Sequence, residues 1–194
     1  NKKLILISLN ELNFELIGKY IEKYNLKNLK HIVQNLSYTK SEKEYKLLEP
    51  WIQWYSAYTG LEAKEHGIFR LGDGANSNSI SIFKLLSENG IKVGAISPMN
   101  IKNDLKHPDY FIPDPWTATT SSNNFWHRLV HKCISQLVKD NARKKIKISN
   151  YFLFFLVFIK FSSFKKYAMY FQLFLKSLKK KWFRSLFLDY FFHD

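Results

Sequence analysis

The chain has 194 residues, of which 46% are hydrophobic, and it carries a formal net charge of +14 at pH 7. This length and apolar content suffice for a folded domain with its own core, and they exclude a wholly disordered chain. The single cysteine, Cys133, excludes an intramolecular disulfide framework and a cysteine-rich zinc site.

The first predicted element is a strand over residues 4–9, where the sequence LILISL is almost entirely apolar. A helical pattern follows it, so strand and helix form a βα unit, and we expect the strand to be internal and parallel. Asn10 and Glu11 come directly after the strand, at the end where α/β sheets bind ligands. A metal or phosphate site is one interpretation of Asn10, and a turn residue that bonds its own backbone is the other. The apolar face of the helix comprises Leu12, Leu16, Ile17, Tyr20 and Ile21.

A helix is predicted from Pro50 to the Thr59-Gly60 pair. Proline suits the first helical position because its missing N–H is not needed there, and Glu49 is then the capping residue. Aromatic side chains recur along one stripe of this helix, which we expect to pack in the core. They are Trp51, Trp54, Tyr55 and Tyr58.

A second unit follows, with a helix that begins after residues 76–79 and ends at Asn89-Gly90. The apolar run over residues 91–96 predicts a second buried strand. The glycine-rich residues 71–74 match neither nucleotide-binding glycine motif, and we interpret them as a loop.

The last third of the chain differs in composition. Residues 125–194 contain 15 basic and 3 acidic residues, against 15 and 13 in residues 1–124, and they hold 19 of the 33 aromatic residues. We therefore divide the chain into residues 1–122, an α/β core, and residues 123–194, a basic, aromatic-rich helical subdomain. A helix of about four turns is predicted here, with Asn123 or Asn124 as its cap, Cys133 in the core, and His127 and His131 in solvent.

Residues 151–159 are apolar throughout but well short of the roughly 20 residues that span a bilayer. Helical patterns continue over residues 164–192. Aromatic faces flanked by lysine suit a helix at a membrane surface, or a subdomain whose partner surface lies elsewhere. Peripheral membrane contact through residues 151–192 is therefore expected, whereas nucleic acid is the less expected partner.

Three segments together resemble the N-terminal part of the alkaline phosphatase superfamily, in particular its type I phosphodiesterase/nucleotide pyrophosphatase and sulfatase-like branches. They are LILISLNELNFELI, EPWIQWYSAYTGLEAKEHGI and SIFKLLSENGIKVGAISPMN, within residues 4–100. The resemblance implies a parallel-sheet sandwich, of which this chain would hold an incomplete domain. A weaker similarity, from residues 111–116 onward, is to sulfatase-like proteins of bacterial surface-polysaccharide metabolism.

The resemblance also implies a site. The family's metal-binding aspartate corresponds to Asn10, with Glu11 beside it, and the divalent metal would be zinc, manganese or magnesium. The position of the family's nucleophile is occupied by Pro50, so Glu49 is the nearest reactive group. The family's other metal ligands come from a C-terminal half that has no matching segment here, which implies that the chain is a fragment of a longer enzyme.

The function predicted from these features is a metal-dependent phosphate or sulfate ester hydrolase or phosphotransferase of the cytoplasm, associated with the membrane. Two alternatives stay open. One is a non-catalytic relative of the same fold, indicated by Asn10 and Pro50. The other is a module whose basic helices bind anionic lipid or nucleic acid.

Overall fold

The computed structural model describes residues 3–10, 13–37, 44–142 and 147–163, together with residues 167, 169 and 172. The described part is rich in helix and contains one small parallel sheet, which is compatible with the predicted α/β class. The helices are α1 (Phe14–Tyr24), α2 (Lys27–Gln34), α3 (Pro50–Thr59), α4 (Ala63–His66), α5 (Ile82–Glu88), α6 (Phe125–Ala142) and α7 (Ile148–Phe161). The other elements of the described residues are two 3₁₀ helices, Tyr45–Leu47 and Asp73–Asn76, and two strands, β1 (Gly94–Ile96) and β2 (Tyr110–Ile112).

The sheet consists of β1 and β2, which pair in parallel with Ala95 opposite Phe111. Phe111 is fully buried and Ala95 is 6% exposed, so this pair lies in the core. The strand predicted over residues 91–96 is confirmed at its last three residues. Its burial alternates, however, and Ile96 is 66% exposed, so only one face of β1 packs against the protein.

The strand predicted over residues 4–9 is wrong. These residues lie in no helix or strand, and Leu4, Ile5 and Ile7 are between 71% and 83% exposed. A parallel strand requires a neighbour that supplies backbone hydrogen bonds, and the sheet of the described residues pairs β1 with β2 and does not include residues 4–9. The apolar run indicates a tendency to be buried, but it does not specify which element covers it.

Helix α1 follows the predicted pattern in part. Asn13 caps it, because its side chain accepts a hydrogen bond from the backbone N–H of Leu16 at 2.9 Å. Ile17 and Ile21 are buried as predicted, whereas Leu16 is 47% exposed. The buried face of α1 is thus narrower than the apolar stripe in its sequence.

Helix α3 has the predicted bounds. Glu49 precedes it in extended conformation, Pro50 occupies the first turn, and Gly60 ends it with φ +71°, a left-handed conformation that favours glycine. Tyr55 and Tyr58 are buried and form a core cluster, against which Trp54 packs. The other buried members of the cluster are Ile68, Ala95, Ile101 and Phe111.

Helix α5 begins at Ile82, three residues after the end of the predicted start segment 76–79. Ser81 is its cap, because the Ser81 hydroxyl accepts a hydrogen bond from the Lys84 N–H at 3.2 Å. The helix ends at Glu88 with Asn89 as its C-cap, and Gly90 follows with φ +74°, so it stops at the predicted Asn89-Gly90 pair.

Helix α6 begins after Asn124, whose side chain accepts a hydrogen bond from the Trp126 N–H at 2.8 Å, so Asn124 is the cap. Cys133 is 1% exposed, and burial raises the pKa of its thiol to about 11. It is therefore a protonated thiol at neutral pH, and the core interpretation is confirmed. The structure divides into two compact units, Asn1–His131 and Lys132–Asp194, at a point within α6.

Helix α7 contains the predicted apolar run and exposes several of its aromatic residues, Tyr151, Phe152, Phe155 and Phe161. Within the described ranges, no helix has the length and apolarity needed to cross a membrane. The helices predicted over residues 164–192 lie outside the described residues, apart from positions 167, 169 and 172.

Candidate functional site

Residues 8–10 lie against α3. The Asn10 side-chain oxygen accepts a hydrogen bond from the indole N–H of Trp54, and the Ser8 and Tyr58 hydroxyls are 2.7 Å apart. These contacts join positions 44 and 50 residues apart in the chain. The structure therefore brings the predicted ligand residue Asn10 to the predicted helix. Glu11 lies outside the described residues.

Glu49 is exposed at the beginning of α3. Its carbonyl oxygen accepts hydrogen bonds from the N–H groups of Ile52 and Gln53, whereas its side chain makes no capping hydrogen bond. Asn10 contacts α3 at Trp54, five residues after Glu49, which corresponds to about 7.5 Å along the helix axis. Both predicted residues are thus associated with one helix.

These residues alone do not fit a divalent metal. A zinc ion takes four ligands, and magnesium or manganese takes about six. Asn10 and Glu49 offer one carboxylate and one neutral oxygen, which already accepts a hydrogen bond from Trp54. Among the described residues, no group of three or more His, Cys, Asp or Glu side chains is placed to hold a metal ion. The described residues therefore form at most part of a metal site.

An open cleft of about 580 Å³ lies beside α4 and the 3₁₀ helix Asp73–Asn76, and it was not anticipated from the sequence. Its volume is within the range of ligand pockets, about 300–1,000 Å³. Most of its lining groups are polar. They are His66, Ile68, Asp73, Asn76, Ser77, Asn78 and Ser79, and we call this the His66 cleft.

His66 has a defined tautomer. The backbone N–H of Ile68 donates to Nδ1 at 2.9 Å, so Nδ1 carries the lone pair. In neutral imidazole the proton then lies on Nε2, which donates to the Ser56 hydroxyl at 2.9 Å. Ser56 cannot transfer its proton to a nitrogen that is already protonated. The Ser56–His66 pair is therefore not a nucleophile with its general base.

Burial lowers the pKa of His66 below its usual value of 6.5, and the Glu65 carboxylate opposes this effect in part. The unfolded chain consequently takes up a proton here at higher pH than the folded chain does. The contribution of neutral His66 to the free energy of unfolding is complete above pH 6.5, the pKa in the unfolded chain. It is lost as the pH falls through the lower pKa of the folded chain. We expect His66→Gln, which is neutral at every pH, to show a smaller loss of stability than the wild type between about pH 7.5 and pH 5.

Urea unfolding at several pH values within that range measures this difference. The exposed His31→Gln is the matched control and should keep the wild-type decline. An unchanged pH dependence in His66→Gln would contradict the assignment.

Two buried side chains hold the loop that carries Asp73. Asn100 Oδ1 accepts hydrogen bonds from the N–H groups of Gly72 and Gly74 at 2.8 and 3.1 Å. Its own backbone N–H donates to Asp114 Oδ2 at 2.7 Å. Asn100 and Asp114 are 0% and 1% exposed, so these bonds are made in the protein interior. We call this arrangement the Asn100–Asp114 network.

Asp114 accepts three further hydrogen bonds in the network. The backbone N–H groups of Trp116 and Thr117 donate to Oδ1, each at 2.8 Å, and the Thr117 hydroxyl donates to Oδ2 at 2.6 Å. The side-chain amide of Asn100 donates to the Arg70 carbonyl at 3.1 Å. All these groups are satisfied within the protein, so the network positions loops and does not itself present a reactive group.

His127 and His131 are not solvent-exposed as predicted. Both are half-buried: His127 Nδ1 is 2.7 Å from the Ser122 hydroxyl, and His131 Nε2 is 3.3 Å from the Asp114 carbonyl oxygen. Tyr110 meets the His127 ring edge-on at 6.0 Å. The helical spacing places His127 and His131 on one face of α6, and the loop before α6 covers that face.

Searches of protein-family models, curated proteins and solved structures find no match to this chain.

Proposed function

We propose that this chain forms part of a phosphate or sulfate ester hydrolase or phosphotransferase whose ester site lies where residues 8–10 meet α3. The observation that carries the proposal is the pair of contacts from Asn10 to Trp54 and from Ser8 to Tyr58. They join the two segments on which the resemblance to the alkaline phosphatase superfamily rests. The Asn10 side-chain oxygen therefore lies at the helix that begins directly after Glu49.

This proposal requires a divalent cation at α3. The N-terminal end of a helix attracts anions, because its first N–H groups have no partner within the helix. Glu49 is exposed there and repels an anionic ester unless a cation lies between them. Asn10 and Glu49 would contribute two of the ligands for that cation, and Glu11, which lies outside the described residues, is the third residue that the resemblance suggests. Further ligands from outside the described residues are needed.

The test is hydrolysis of p-nitrophenyl phosphate, bis-p-nitrophenyl phosphate and p-nitrophenyl sulfate by the full-length protein with Mn²⁺, Zn²⁺ or Mg²⁺. We expect turnover that EDTA abolishes, and a loss of about 100-fold or more in Asn10→Ala and Glu49→Ala. Glu88→Ala, an exposed glutamate at the end of α5, is the control and should retain full activity. Turnover that is indifferent to EDTA and to both changes would exclude this mechanism.

A non-catalytic relative of the same fold is the second candidate. Pro50 is in the first turn of α3 and offers no hydroxyl, and the Asn10 oxygen is already bonded to Trp54. On this alternative, no substrate is turned over, whereas a divalent cation raises the melting temperature of wild-type protein more than that of Asn10→Ala. The location in the cytoplasm, the membrane contact and the link to surface polysaccharides remain proposals that rest on the same resemblance and on the exposed aromatic residues of α7.

A further inference from the structure

The His66 cleft is independent of the ester site proposed above. It lies within the first compact unit and is formed by α4, the 3₁₀ helix Asp73–Asn76 and the segment that follows. Its lining side chains include three that are exposed to solvent and so accessible to a ligand: Asp73, Asn76 and Asn78. Together they offer carboxylate and amide oxygens as acceptors and amide N–H groups as donors.

A pair of serines adds a further donor. The Ser77 hydroxyl accepts from the backbone N–H of Ser79 at 3.1 Å and donates to the Ser79 hydroxyl at 3.2 Å. Ser79 is then an acceptor in this bond, and its own hydroxyl hydrogen remains available to a ligand. Lys102 donates to the Ser77 carbonyl oxygen, which holds this segment in place.

Two nearly buried side chains, Ile68 and His66, form the floor of the cleft. Ile68 is 7% exposed and His66 is 8% exposed. The orientation of the His66 ring is determined by its bonds to Ser56 and to the Ile68 N–H, and by Tyr55, which meets it edge-on at 4.9 Å. Both His66 nitrogens are engaged, so neither is free to bond a ligand.

The formal charge of the lining set is small and negative. Asp73 contributes one formal negative charge to the lining, whereas burial lowers the pKa of His66 and so favours its neutral form. The Asp73 carboxylate repels phosphate and sulfate groups, and the Lys102 ammonium, which donates to the Ser77 carbonyl oxygen, offsets its charge, so the cleft favours neither anions nor cations strongly. Neutral hydroxyls, in contrast, donate to the carboxylate and accept from amide N–H groups at the same time.

We propose that the His66 cleft binds a neutral, polyhydroxylated ligand, a sugar residue, through Asp73, Asn76, Asn78 and Ser79. The Asp73 carboxylate accepts a hydrogen bond from one hydroxyl of the sugar, and the side-chain amides of Asn76 and Asn78 bond the adjacent hydroxyls. Ile68 and the edge of His66 contact the apolar face of the sugar ring. The volume of the cleft, about 580 Å³, is large enough to hold one or two sugar residues.

The experiment is saturation-transfer NMR on the full chain with methyl α-D-glucopyranoside and N-acetyl-D-glucosamine at tens of millimolar. Glucose 6-phosphate and putrescine serve as the anionic and cationic probes. We expect transfer to at least one neutral sugar and a shift of the Ile68 amide resonance, which reports on the cleft. Asp73→Ala should weaken binding at least about tenfold, because a charge-assisted hydrogen bond is lost.

Asp109→Ala, an exposed aspartate outside the lining set, is the matched control and should bind as the wild type does. Transfer to neither sugar, equal binding by Asp73→Ala and wild type, or a preference for glucose 6-phosphate or putrescine would overturn the proposal. An absence of ester hydrolysis leaves it unaffected, because the sugar probes are not esters and Asn10 and Glu49 are not in the cleft.

Discussion

Gly74→Ala is expected to destabilise the protein by more than about 4 kcal/mol, a loss of the size that abolishes folding in many domains. A Cβ added at Gly74 would lie 1.7 Å from the carbonyl oxygen of Asn100 and 3.1 Å from the Tyr55 ring. Backbone atoms cannot rotate away as a flexible side chain can. The loop must therefore move, and the Gly74 N–H then loses its bond to Asn100 Oδ1.

Gly18→Ala is the matched control for this change. Gly18 lies within α1, and a Cβ there meets no atom within 4 Å. Alanine has the higher helix propensity, so this variant should gain about 0.5–1 kcal/mol. Urea unfolding followed by tryptophan fluorescence compares the two, with limited proteolysis for a variant that does not fold. A Gly74→Ala protein within about 1 kcal/mol of the wild type would show that the loop is not tightly held.

Asn100→Ala is expected to cost about 4 kcal/mol, since each buried polar group left without a partner costs about 1–3 kcal/mol. The N–H groups of Gly72 and Gly74 lose their acceptor, and the Arg70 carbonyl loses its donor. Asn100 also has φ +64°, a left-handed conformation that alanine adopts at a cost of about 1–2 kcal/mol.

Two variants separate these contributions. Asn100→Gly removes the same hydrogen bonds but tolerates the positive φ, so it should recover about 1 kcal/mol relative to Asn100→Ala. Asn25→Ala changes an exposed asparagine with φ +51°, and it should show the backbone cost alone, about 1 kcal/mol. Equal losses in Asn100→Ala and Asn25→Ala, measured by urea unfolding, would show that the buried hydrogen bonds add nothing.

The helix ends that were predicted best are those marked by a local sequence signal. In α3, Pro50 is the first helical residue and Gly60 directly follows the last one. The backbone preferences of these two residues therefore set the bounds of the helix. Asn124 at the beginning of α6 is a similar case. A capping side chain bonds a residue only two or three positions away, and such contacts can be recognised in the sequence.

The candidate site was predictable only in part. The structure brings Asn10 to α3, where the sequence also places Glu49, but it gives them no ligand set for a metal among the described residues. The His66 cleft was missed, although its lining residues are close together in the chain. Their side chains form a cleft because Asn100, 28 residues after Gly72, bonds the loop that carries Asp73. No spacing rule reveals such a pairing.

The sequence by itself determined the mixture of helices with a short strand ending at Ile96, the bounds of α3, and the concentration of basic and aromatic residues after residue 124. These features depend on composition and on contacts between near neighbours. Tertiary structure alone decided that residues 4–9 stay outside the two-stranded sheet, that Asp114 and Asn100 become buried partners, and that His66 is neutral with its proton on Nε2. Each of these outcomes depends on which distant backbone or side-chain group supplies a hydrogen bond, and that choice is made by packing across the whole unit.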